Sequence, residues 1–127
     1  MATRKRLKPT PYDNPESLLV GPFNYAIKDW TDIEAEAAQA LGYCDRIRNI
    51  IKIKQGLNDQ TRAEVLLHEV LHAMFYNSGL THSDVLTERE EMIVSQFGLG
   101  LIALIRTNPG FMPFLIRLLD RNQNDVD

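Results

Sequence analysis

The stretch TRAEVLLHEVLHAMFYNSG, residues 61–79, constrains the fold more than any other part of the chain. On a helical wheel with His68 at 0°, His72 falls at about 40°, Val65 at 60°, Tyr76 at 80° and Glu69 at 100°. Leu66, Val70, Met74, Leu67 and Leu71 fill the arc from about 160° to 300° on the same wheel. A helix that is apolar over most of its circumference has to be buried, so the remaining elements must wrap around this one. Its polar exceptions, His68, His72 and Glu69, gather on one side. Asn58, Asp59 or Thr61 can cap its start, with Glu64 completing a capping box from Thr61. Asn77-Ser78-Gly79 closes it.

Only 127 residues are available to do the wrapping, enough for one domain and too few for two. FNYAIKDW, after Gly21-Pro22, reads as a strand. TDIEAEAAQALG reads as a short helix, with Thr31 and Glu34 as a capping box and Gly42 as its stop. RIRNIIKIK (Arg46 to Lys54) reads as a strand, with Ile47, Ile51 and Ile53 on one face and Arg46, Arg48, Lys52 and Lys54 on the other. EREEMIVSQFGLGLIALIR reads as a long helix stopped by Asn108-Pro109-Gly110, and FMPFLIRLLD as a short last helix. The expected architecture is α+β, a small N-terminal sheet of about two to three strands packed on these helices. Residues 1–17, with four basic residues and three prolines, read as an arm, 18–120 as the domain and 121–127 as a polar tail.

Charge and composition remove several classes. A net charge of −3 exerts no global pull on nucleic acid or membrane. Four charges on the arm suit a solubilising tail; a weak polyanion contact is the sharper alternative. The single cysteine, Cys44, forms no internal disulfide framework. The N-terminus lacks the apolar core of a secretory signal, and the longest apolar run, FGLGLIALI, is shorter than a membrane span. A cytoplasmic protein is the expectation, with no membrane partner.

The polar side of the central helix has a chemical use. Histidines at i and i+4 lie one turn apart and can aim two imidazole nitrogens at one zinc ion. Glu69 is rotated off that axis, where it can take a proton from water near the metal. A catalytic zinc site wants a third protein ligand and one open position. The metzincin extension would need glycine at Phe75 and histidine at Ser78, so that class is excluded. His82 and Asp84 lie in the loop past the helix; Glu88, Glu90 and Glu91 open the next one. The inward face of that helix, marked by Ile93, Val94, Phe97 and Leu101, slightly favours Glu90. The plain alternative for each glutamate is a carboxylate stabilised by the helix dipole.

The run LGYCDRIRNIIKIKQGLNDQTRAEVLLHEVLHAMF, followed by EEMIVSQFGLGLIALIRTNPGF, resembles the small zinc metallopeptidases encoded by phages and prophages. These are related to the ImmA/IrrE-like and SprT-like gluzincin-type enzymes. The likeness covers about residues 40–110. It rests on a strand after LGYCD, the HEVLH helix, and an EExIV-type helix ending in Asn-Pro. It implies a minimal zincin-like domain in which His68, His72 and a glutamate on the later helix hold zinc and Glu69 is the general base. The family pattern, a glutamate two residues before an apolar-Val pair, falls on Glu91. Thermolysin-like gluzincins carry an aspartate one turn after the third ligand; Val94 and Ser95 stand there instead. Tyr76 and His82 are the candidates for stabilising the oxyanion.

The function expected from this reading is zinc-dependent hydrolysis of peptide bonds in a protein or peptide substrate. That substrate would lie extended along a sheet edge such as Arg46 to Lys54, whose basic row would favour acidic targets. The alternative is a non-catalytic binding or structural phage protein that keeps the zinc to hold its core.

Overall fold

The computed structural model describes residues 10–78 and 89–124. Four strands and four helices follow in the order β1 (Ser17–Val20), β2 (Phe23–Trp30), α1 (Asp32–Ala38), β3 (Gly42–Asp45), β4 (Ile50–Lys54), α2 (Asp59–Asn77), α3 (Glu90–Thr107) and α4 (Phe111–Asn124). The α+β class expected from the sequence is the one observed. The sheet has four strands where two to three were expected, in the order β1-β2-β4-β3. β1 runs antiparallel to β2, β2 parallel to β4, and β3 antiparallel to β4.

The strand expected over Arg46 to Lys54 is shorter and differently used. Only Ile50–Lys54 is strand, and β3 comes from the preceding GYCD. Arg46–Asn49 make the turn between them, for a local reason. The Asp45 carboxylate accepts the backbone N–H groups of Ile47 (3.0 Å) and Arg48 (2.9 Å). Asn49 takes a left-handed φ of 57°, which asparagine tolerates well. Ile47, assigned by parity to the apolar face, is therefore exposed. The alternation holds within β4 itself, where Ile51 and Ile53 are fully buried. β4 is also an interior strand; the sheet edges are β1 and β3.

Tyr25, Ile51 and Ile53 pack with Val20 and Ala73, bringing the inner face of the sheet against α2. On the outer face Lys52 and Lys54 reach Glu34 (3.7 Å) and Asp32 (3.5 Å) of α1. The basic row thus pairs with an acidic helix, which removes the ground for a preference toward acidic substrates. The Thr31/Glu34 capping box forms as the sequence indicates, but α1 stops at Ala38 through a left-handed Gln39, three residues before Gly42. Gly42 instead opens β3. α2 is capped by Asn58, whose side chain accepts from the Thr61 N–H, so the Thr61 box does not form. α4 runs past the expected boundary at residue 120. β1 begins at Ser17, the last residue of the expected arm. The basic residues Arg4–Lys8, together with His82, Asp84 and Glu88, lie outside the described residues. No single helix among the described residues is long and apolar enough to cross a membrane.

Candidate metal centre

His68 and His72 lie one turn apart on α2 with ring centroids 4.9 Å apart and their Nε2 atoms 3.2 Å apart. Glu91, in the first turn of α3, closes the group. Its Oε1 lies 2.8 Å from His68 Nε2 and its Oε2 2.7 Å from His72 Nε2. One donor atom from each of the three side chains lies within 4.8 Å of the others. Two imidazole nitrogens and one carboxylate form a donor set that zinc takes readily. Tetrahedral ligands about 2.0–2.1 Å from zinc stand roughly 3.3 Å from one another, close to the observed nitrogen separation.

Glu90 occupies the other side of the same ring. Its Oε2 lies 2.5 Å from His72 Nδ1, and it also accepts from Arg46 Nη2. A carboxylate there calls for the proton on Nδ1, which leaves a lone pair on Nε2 in the neutral ring. That lone pair faces the Glu91 carboxylate and the second imidazole, so electron-rich atoms converge on one point. A cation satisfies such a cluster, and the residues fit a bound metal. Adjacent glutamates thus hold His72 from opposite sides. Glu90 is buried at 6% and the Glu91 side chain is 69% exposed, because the group of three donors faces the cleft. The wheel identified the buried glutamate correctly; the geometry gives it the Nδ1 contact and puts Glu91 in the donor group.

Alternation puts Arg46 on the strand face shared with Arg48, Lys52 and Lys54. From the β3–β4 turn it instead reaches Glu90, lies 3.4 Å from His72 Nδ1, and stacks 5.9 Å from the Tyr76 ring centroid. No spacing signal marked this; the Asp45 turn that redirects the residue was the available clue. Tyr76, a sequence candidate for stabilising an oxyanion, lies under Arg46 and does not line the cleft. Ser95, one turn after Glu91, places its Oγ 3.4 Å from Glu91 Oε1. Orientation of this kind by groups behind the ligands is worth about 10- to 100-fold in metal affinity. For a metal held by this group, Glu90→Gln is expected to weaken binding about that much, read with zinc by competition with a chromophoric chelator. An unchanged affinity would deny Glu90 this part.

Glu69 lies beside the donor group and outside it, 7% exposed. Burial raises its carboxyl to about 7, against the downward pull of His72. Gly42 explains how it is seated. A Cβ on Gly42 would stand 2.6 Å from Val65 Cγ1 and 2.9 Å from Glu69 Oε2, closer than side chains tolerate. Edge strand β3 can cross α2 here only as glycine. Gly42→Ala should cost about 1–3 kcal/mol of stability in urea unfolding, by overpacking. A change within about 0.5 kcal/mol would mean the strand rides clear of the helix. Cys44, two residues along the same strand face, has its thiol pushed up to about 11 by burial and by the Glu69 carboxylate, so it stays protonated at neutral pH.

These groups open into one cleft between β3, α2 and α3. Leu41, Tyr43, Thr61, Glu64, Val65 and Leu99 line it together with the histidines, Glu69 and Glu91. Comparison with known protein families, curated proteins and solved structures finds no match to this chain.

Proposed function

We propose that this chain is a zinc metallopeptidase of the HExxH type, similar to the small phage and prophage enzymes and their gluzincin relatives. The observation that carries the reading is the convergence of His68 Nε2, His72 Nε2 and the Glu91 carboxylate beside Glu69. Zinc bound there would supply a Lewis acid that lowers the pKa of water and polarises a carbonyl. Glu69 takes the proton from the attacking water and returns it to the departing amine, a task suited by a carboxyl held near neutrality. Glu90, itself held by Arg46, keeps His72 in the tautomer that offers Nε2. Among the described residues β3 is an edge strand, paired antiparallel with β4, and Gly42, Tyr43 and Cys44 border the cleft. A peptide adding there as a strand would pass along the metal position. The interior position of β4 moves this role from Arg46 to Lys54 onto Gly42–Asp45.

Glu69→Gln separates this reading from a zinc-stabilised binding module. Peptide cleavage is lost and zinc retained if the chain is an enzyme. In a module of the second kind, the biological activity survives Glu69→Gln and falls with His68→Ala.

A further inference from the structure

α3 packs on α2 through its first half, where Gly98 sits 3.6 Å from Leu71 as measured from its ideal Cβ. Beyond that contact the chain projects. α3 and α4 are bent 93° apart at the Asn108–Gly110 break. On α4, from Phe111 to Leu119, six large apolar side chains stand between 38% and 66% exposed. At roughly 200 Å² per side chain, half exposed, this is on the order of 600 Å² of apolar surface. A monomer rarely shows more than a few hundred Å² in one patch, and a stable interface takes about 800 Å² from each partner.

We propose that this surface pairs with a second copy of the chain, through an antiparallel contact of α4 with α4 about a twofold axis at Leu115. Two observations select a second copy. The area is about the apolar share of one side of a standard dimer interface. The pattern of α4 is also its own reverse. Around Leu115 the apolar residues Phe111, Met112, Phe114, Ile116, Leu118 and Leu119 stand at −4, −3, −1, +1, +3 and +4, and the non-apolar Pro113 and Arg117 at −2 and +2. An antiparallel copy therefore meets apolar with apolar along the whole contact, as an isologous interface requires. Proline at 113 is tolerated because the first turn of a helix has no internal acceptor for its N–H. On α3, Gly100 has open space around it on a face shared with Phe97, Leu101 and Leu104.

Sedimentation equilibrium of the full zinc-loaded chain should give twice the 14.5 kDa mass of one chain. Phe114→Glu should raise the dimer dissociation constant at least about tenfold, with far-UV circular dichroism and zinc content unchanged. Register is tested by cysteine cross-linking in a Cys44→Ser background. Leu115→Cys, on the axis, should link to itself. Phe111→Cys should not, but should link to Leu119→Cys when the two are mixed. A one-chain mass at all concentrations, a two-chain mass indifferent to Phe114→Glu, self-linking of Phe111→Cys, or vesicle binding in place of dimerisation would each overturn the proposal.

Discussion

Glu69→Gln is expected to lower peptide hydrolysis by about 10²- to 10⁴-fold, the usual contribution of a general base. The change is isosteric, so the amide keeps the place of the carboxylate against Gly42. The donor group should be untouched, because Glu69 is not one of the three converging side chains. Zinc content and affinity should stay within a few-fold of wild type, while turnover against a library of unstructured peptides collapses. Burial makes the carboxyl a good proton acceptor by holding it near 7. An amide in the same seat cannot accept the proton at all. Cleavage at the wild-type rate would remove Glu69 from the chemistry.

The second large effect is expected from His72→Ala. His72 is 9% exposed and joins both glutamates, Glu90 through Nδ1 and Glu91 through Nε2. Removing it takes out one ligand and breaks the bridge between the Arg46–Glu90 pair and the metal position. At zinc about a hundredfold above its dissociation constant, the wild type should gain about 2.7 kcal/mol from binding. For a domain of this size that is a rise of roughly 10 °C in the unfolding midpoint. The variant should show no zinc-dependent rise by differential scanning calorimetry. Its metal-free form should also be less stable by about 1–3 kcal/mol, since Glu90 loses a buried partner. A zinc-dependent rise equal to that of wild type would place the metal elsewhere.

What the sequence revealed follows the strength of each physical signal. The spacing of His68, Glu69 and His72 survived intact, because a helix fixes relative side-chain directions over one turn. Phe23–Trp30 was legible from its aromatic and β-branched content, and the boundaries of α3 from the Asn-Pro stop. The failure at Arg46 to Lys54 came from trusting alternation through Asp45-Arg46-Ile47-Arg48-Asn49. There a side chain capping two backbone N–H groups overrides the pattern. Once that turn is seen, Arg46 is free of the strand face and reaches Glu90. The wheel slightly favours Glu90, whereas the group of converging donors contains Glu91, for a different reason. Inwardness measures burial, and the donor position lies at the mouth of a cleft. Gly42 carried no sequence signal for close packing, because only the crossing of β3 over α2 creates that demand.

X-ray absorption at the zinc edge of the purified protein tests the central claim most directly. The account predicts one zinc per chain, with two imidazole nitrogens at about 2.0–2.1 Å and carboxylate and water oxygens at about 2.0–2.2 Å. The carboxylate signal should disappear in Glu91→Gln and persist in Glu90→Gln. Absence of bound zinc, or loss of the carboxylate oxygen in Glu90→Gln with its retention in Glu91→Gln, would contradict it.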